Sequence, residues 1–413
     1  MIPPGIRCSV HVAYYLWYGN PETDGKWMHW DHKTLPHWDP AIDRKHPPKR
    51  WEPPVEAHSP FRPARGLYSS ADPVTVDAHF AELASMGIDS AMFSWWGRSK
   101  SSAVTKRDDA DSGADTDRLL PLVLAAARRH KVDVSFHIEP YGGRSPETFL
   151  DDARHLLEQK GHVGTAEFAP HGGGDVVTFF VYDVSSRHTP PPERKRWKLT
   201  FETLREEFKG LSFELVFFCL WMENRGDAAF VREAGFDAGY SYFAATGFTP
   251  ASSPTNWPGM PRDLFVPSVG PGYDDSMIRP WNTHNIRPRT GSQYYDSMWA
   301  SAMDFDMVTI TSYNEWGEGT QIEPAVQYES PKPGSNVHYV HYPDNDPNFF
   351  VKRTQEWVRK YKAHCRIRWN TNELLEEAGE GADVNIRGDD RSVRQDDEDD
   401  LKKSKLNKNG NEL

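Results

Sequence analysis

Apolar positions in this chain fall into two alternating patterns. Short, mostly continuous apolar runs occur at Cys8–Tyr15, Ser90–Trp95, Val132–Glu139, Val176–Asp183, Leu211–Trp221, Gly235–Phe243, Asp263–Val269 and Phe305–Tyr313. Continuous rather than alternating runs are what a parallel sheet covered on both faces requires. Between them the apolar residues recur with helical spacing. Asp72-Pro73 starts one helix, with Val76, Phe80 and Leu83 on one face and Gly87 as its stop. Ser145-Pro146 starts another, with Phe149, Ala153 and Leu156 facing inward, and Thr116–Lys131, Pro192–Lys209, Ser292–Asp304 and Phe349–Cys365 are further helices. Eight strands interleaved with helices predict an α/β fold, a single (β/α)8 TIM-type barrel with long βα loops. The irregular point is Leu211–Phe243, where only Ala228–Ala234 separates two strands.

Loops Trp17–Ser70 and Gly270–Gly291 follow the first and seventh strands and are dense in Trp, His, Pro and Asp. Loops of this length inside a compact domain usually carry function, and in a barrel they sit where active sites lie. Gly161–Gly174 reads as an irregular surface loop. The predicted organisation is a catalytic barrel over 1–370 and a charged, disordered tail over 371–413. That tail holds 13 acidic and 7 basic residues, with an acidic block at Asp396–Asp400, and too few apolar positions to build a core.

Charge and composition narrow the function. The net charge is −12, which argues against nucleic acid as partner. Three cysteines, Cys8, Cys219 and Cys365, do not make a disulfide framework and show no zinc spacing. His29, His32 and His37 lack regular ligand spacing, so neither metal nor cofactor is expected. There is no 18-residue apolar stretch, hence no membrane span, and no signal-peptide pattern at the start. Aromatic residues make up 13% of the chain and concentrate at the strand ends, in YYLWYGN, FSWWG, FHIEPYGG, YSYF and YNEWGEG. These segments place aromatic walls and the carboxylates Glu139, Glu315 and Glu318 at one mouth of the barrel. Flat apolar walls with carboxylates suit glycoside chemistry, which needs proton transfer to and from oxygen. Glu315 and Glu318 lie three apart, so serving one cleft requires the backbone to turn between them, for which Gly317 and Gly319 supply freedom.

The segments Tyr14–His32, Ala64–Ser70, Phe136–Arg144, Thr255–Met260, Pro267–Gly291 and Ser312–Pro324, among them NPETDGKW and SYNEWGEGTQIEP, resemble glycoside hydrolase family 99. The resemblance implies a (β/α)8 barrel and a retaining endo-α-1,2-mannosidase that trims glucosylated high-mannose N-glycans, without a cofactor. It maps the catalytic pair onto Glu315, the base toward the sugar 2-hydroxyl, and Glu318, the acid toward the leaving oxygen, through a 1,2-anhydro sugar. By the same mapping Glu139 binds a hydroxyl near the reaction centre, Trp95 or Trp96 stacks on sugar, and Tyr242 lines the cleft, with Tyr14, Trp17 and Tyr18 beside it. His137 and Tyr141 flank Glu139 as further contacts. Family members in animals are membrane-anchored in the Golgi lumen, and the anchor is absent from this chain. Two alternatives remain at this level: a polysaccharide enzyme of the related WbsX-like group, and an inactive carbohydrate-binding barrel.

Overall fold

The computed structural model describes residues 2–98, 115–161, 175–223, 226–333, 337 and 339–380. The chain divides into two units, Met1–Ile367 and Arg368–Leu413. The Gly161–Gly174 loop, past its first residue, and the acidic block at 396–400 lie outside the described residues.

The first unit is built on one parallel sheet. Its strands are β1 (Ser9–Tyr14), β2 (Ser90–Trp95), β3 (Asp133–Ile138), β4 (Asp175–Val181), β5 (Phe213–Leu220), β6 (Ala238–Tyr240), a seventh strand in two pieces, β7 (Phe265–Val266 and Ser268–Val269), and β8 (Met307–Ile310). Each pairs in parallel with its neighbour, the first piece of β7 with β6 and the second with β8, while β8 pairs with β1. Pro267, which has no N–H to give to a ladder, separates the two pieces; its carbonyl still accepts from Thr309 (3.0 Å). The sheet is therefore an eight-stranded barrel that closes through β7, as the apolar runs predict. Apart from two four-residue helical turns, Pro21–Asp24 and Pro40–Asp43, the described helices are α1 (Pro73–Met86), α2 (Thr116–His130), α3 (Pro146–Lys160), α4 (Pro191–Glu207), α5 (Asp227–Glu233), α6 (Gln293–Ala302) and α7 (Phe349–Glu380). Between β6 and β7 the connection carries only short 3-10 turns.

Local chemistry sets the helix ends. Asp72 accepts from the N–H groups of Val74 and Thr75 at the start of α1, and Gly87 closes it at φ +76°. Ser145 and Thr148 form a reciprocal capping box on α3. The helix α7 continues to Glu380, past the boundary expected at 370 and past the start of the second unit at Arg368. Within the second unit, only the helical stretch to Glu380 is described.

Strand parity divides the core in two. Phe136, Phe179 and Phe217 on adjacent strands face the helices, meeting Phe149 of α3 and Phe201 of α4. Burying each such ring stabilises the fold by roughly 2 kcal/mol. Met92, Phe180, Phe218, Leu220, Tyr240, Val266 and Met307 fill the barrel, and Ile2 and Ile6 from the N-terminal segment pack against them. His11 is also inside, bonded to Ser135 (3.2 Å), and burial pushes its pKa down to about 3, so it is neutral.

The cysteine expectation is corrected. Cys8, at the entrance to β1, and Cys365, on α7, form a disulfide across 357 positions of sequence. Spacing along the chain could not show it, because the two residues meet only when the last helix packs back beside the first strand. Cys219 is free and buried.

Candidate active site

At the end of β8 the chain turns sharply through Ser312–Thr320. Asn314 clamps this turn to the end of β1, accepting from the Tyr15 N–H and donating to the Tyr15 carbonyl, both at 2.8 Å. Behind it lies a buried network in which Glu323 accepts from the Tyr68 hydroxyl (2.8 Å) and from Trp316 Nε1 (3.1 Å) and pairs with His79 Nε2 (3.0 Å). The glycines act as the sequence requires. Gly319 sits at φ +61°, and a Cβ at Gly317 would meet the His58 ring at 2.9 Å and Glu315 Oε1 at 3.2 Å. A side chain at Gly317 would therefore require His58 or Glu315 to move.

The two carboxylates stand in different surroundings. Glu315 is buried; its Oε1 accepts from the Gly317 N–H (3.0 Å), and its Oε2 has no hydrogen-bond partner among the described residues. Burial, and then the neighbouring charge of Glu318, raise its pKa well above the usual carboxylate range. Glu318 is partly exposed and accepts from Arg279 (3.3 Å), whose guanidinium also holds Asp275 (3.1 Å). Two acids, one biased toward its neutral form and one paired with a cation, can together hold one proton and offer one base.

Around them stand aromatic side chains. Tyr15 stacks on Trp17 (ring centroids 4.7 Å) and its hydroxyl bonds that of Tyr242; Trp17 stacks on His29 (4.2 Å) and tilts toward Trp96 (6.2 Å). Tyr182 stands edge-on to Tyr242 (4.9 Å). Burial raises the phenol pKa values of Tyr15, Tyr182 and Tyr242, keeping their hydroxyls protonated. Tyr242 lies at φ +52°, a left-handed conformation that costs a tyrosine about 1–2 kcal/mol and that this packing holds in place. Glu139 Oε1 accepts from Ser94 (2.8 Å) and from His137 Nδ1 (2.8 Å), whose Nε2 in turn accepts from the Tyr240 hydroxyl (2.7 Å).

Of the sequence-derived candidates, the structure brings Glu315, Glu318, Glu139, His137, Trp17, Trp96 and Tyr242 to this end of the barrel. Tyr18 lies beneath, its hydroxyl donating to the Asn314 carbonyl (2.8 Å) and its ring stacked on Trp30 (4.1 Å). Three candidates are corrected, the first two by strand parity. Tyr14 points to the helical layer, where its hydroxyl bonds His79 (3.1 Å), and the next residue, Tyr15, faces the barrel mouth instead. Trp95 likewise faces out, donating to Asp117 of α2 (2.9 Å). Tyr141, past the end of β3, packs on Trp95 and its hydroxyl donates to Asp152 of α3; its link to Glu139 is through the backbone, N–H to carbonyl (2.9 Å). Sequence reasoning missed Tyr15, Tyr182, His58 and Arg279. For Tyr182 the signal was available, since FVYD ends the fourth run as FSWWG ends the second.

His29 and His32 meet His58 with centroids 4.8–6.0 Å apart, whereas His37 stacks on Trp38. No group of three or more His, Cys, Asp or Glu side chains among the described residues is arranged to hold a metal ion.

A parallel barrel with acids and stacked aromatics at the carboxyl ends of its strands defines a carbohydrate-active enzyme, a glycoside hydrolase. The chain belongs to glycosyl hydrolase family 99, whose family model matches residues 6–363. A rat protein named glycoprotein endo-alpha-1,2-mannosidase is 36% identical over 368 residues, covering 87% of this chain and 76% of its own length. A zebrafish glycoprotein endo-alpha-1,2-mannosidase-like protein is 35% identical, covering 86% of this chain and 78% of its own. The solved GH99 endo-alpha-mannosidase from Bacteroides thetaiotaomicron superposes with a TM-score of 0.71 at 31% identity, over 86% of this chain and 98% of that one.

Proposed function

We propose that the chain is a retaining endo-α-1,2-mannosidase acting on high-mannose N-glycans, including glucosylated ones. The observation that carries this is the pairing of Glu315 and Glu318 on one turn inside an aromatic cleft, in a family whose named relatives are endo-α-mannosidases. In an α-mannoside the 2-oxygen is axial and trans to the axial leaving group, so it can attack C1 from the opposite face. Glu315 removes the 2-hydroxyl proton, O2 closes on C1, and Glu318 gives its proton to the departing glycosidic oxygen. Glu318 then takes a proton from water as water opens the 1,2-anhydro ring at C1, and O2 recovers its own. Neither carboxylate attacks the sugar, so both can sit on one turn instead of flanking the ring. Glu139, held by His137 and Ser94, accepts from a sugar hydroxyl, and Trp17, Trp96, Tyr15 and Tyr242 supply the walls.

One observation favours the reverse order of roles. Burial raises the pKa of Glu315, which favours its neutral form, while Glu318 is the member of the pair that accepts from Arg279. The proposed order needs the pair's single proton on Glu318 once the glycan is bound.

The same reading places the protein in the secretory pathway, in the Golgi lumen. The Cys8–Cys365 disulfide supports an oxidising compartment. No described helix is long and apolar enough to cross a membrane. The function is tested by incubating the chain with a glucosylated high-mannose glycan and weighing the products. Release of a glucosyl-mannose disaccharide is expected; release of single hexoses, or of nothing, contradicts the reading.

A further inference from the structure

Trp38 is 81% exposed, the aromatic member, among the described residues, of a set of exposed large apolar side chains otherwise made of Val74, Leu199, Leu211 and Ile367. Single exposed aliphatic residues on a surface are ordinary. Trp38 differs in being built into a platform. Its indole stacks on His37 (centroids 3.9 Å, planes 29° apart) and meets the edge of Trp281 (5.4 Å, 78°), which in turn stands edge-on to His37 (4.7 Å). His37 is fixed on both sides. Its Nδ1 accepts from the Asp39 N–H (2.8 Å), leaving Nε2 as the donor, and its own N–H donates to Asp43 (3.0 Å).

The platform joins the two long loops of the barrel mouth. Trp281 Nε1 donates to the Leu35 carbonyl (3.3 Å), and the Leu35 N–H donates to Ile278 (2.7 Å). Trp51 Nε1 of the first loop donates to Met277 of the other (3.0 Å). Two residues before Trp281 comes Arg279, which bonds Glu318. The exposed indole thus belongs to the same rigid rim as the arm touching the acid pair.

We infer that Trp38, backed by His37 and Trp281, is an outer carbohydrate-binding site that stacks on a mannose of the bound glycan beyond the residues handled in the cleft. The inference rests on the mannosidase reading. An enzyme that cuts inside a branched glycan meets sugars well away from the bond it breaks. An immobilised indole face suits the apolar C–H face of a pyranose, and the adjacent imidazole N–H suits its hydroxyls. A rigid platform also avoids the entropy cost of ordering a mobile side chain on binding.

The test compares wild type, Trp38→Ala and Trp38→Phe on a large high-mannose glycan and on a short activated α-mannosyl disaccharide. Trp38→Ala should raise KM for the large glycan about three- to tenfold, the range expected of one aromatic contact. It should leave kcat, and both constants on the short substrate, unchanged, while Trp38→Phe should recover much of the loss. An equal change on both substrates, or none on the large one, overturns the site. If wild type cleaves neither substrate, the mannosidase reading falls by itself. The site is then judged by calorimetric titration of the large glycan into the Glu318→Gln protein with and without Trp38→Ala. Weaker binding without the indole supports it, and equal binding overturns it. Dimerisation of wild type that Trp38→Ala abolishes would show that a second copy covers the platform and would also overturn it.

Discussion

At the scale of single residues, the candidate chemistry depends on how differently two nearby glutamates are housed. Glu315 has a folded-state pKa raised above its ordinary 4.5, chiefly by burial. Its contribution to stability is therefore fully present below about pH 4.5 and is lost as the pH rises through the raised value. Glu315→Gln keeps the shape and cannot ionise. It should melt at a higher temperature than wild type at pH 8, with the gap closing toward pH 4.5, as read by calorimetry across pH. A gap that widens on acidification would contradict the assigned burial. Gly317→Ala puts a methyl 2.9 Å from a His58 ring atom and close to Glu315 Oε1. It should cost about 1–3 kcal/mol of stability and at least about tenfold in kcat, by denaturant titration and steady-state assay. The acids, Glu139 and the glycines that turn the chain were legible in the sequence. Parity was not: in the doublets Tyr14-Tyr15 and Trp95-Trp96 one member faces the barrel mouth and the other the helices, and only the strand register decides which.

At the scale of elements, most of the barrel could be read from periodicity and caps. Continuous apolar runs gave eight strand positions, and Asp72-Pro73 and Ser145-Pro146 marked two helix starts. The shortness of β6 and the break in β7 were harder to read, since β7 pairs with β6 on one side of Pro267 and with β8 on the other, which local preference does not show. The extent of α7 was also misjudged, because the polar residues past 370 resemble a solvated tail and helices need no apolar face to extend by a few turns. The capping box on α3 gives an independent check. Ser145→Ala removes the acceptor for the Thr148 N–H (3.2 Å) and should cost about 1 kcal/mol in chemical denaturation, with activity unchanged. A loss of activity instead would mean that α3 positions the cleft more directly than through stability.

At the scale of the whole molecule, the Cys8–Cys365 bond ties the first strand to the last helix, closing nearly the whole first unit into one loop. In the chain-entropy view a closure of this length stabilises by on the order of 5 kcal/mol. Reduction, or Cys365→Ala, should lower the melting temperature by several degrees with kcat retained below the transition. An unchanged melting temperature under full reduction would show that the loop closure contributes nothing.

The central claim is that Glu315 and Glu318 act together as base and acid on one turn, and the most direct measurement crosses two variants with two substrates. Glu318→Gln should lose roughly 10²- to 10⁴-fold on a natural glycan, whose leaving oxygen needs a proton. It should regain most of that on a mannoside whose leaving group departs unprotonated. Glu315→Gln should stay slow on both, because the 2-hydroxyl must be deprotonated whatever leaves. Rescue of Glu315→Gln in place of Glu318→Gln would reverse the two roles. Full activity in both variants would contradict the assignment of this pair altogether.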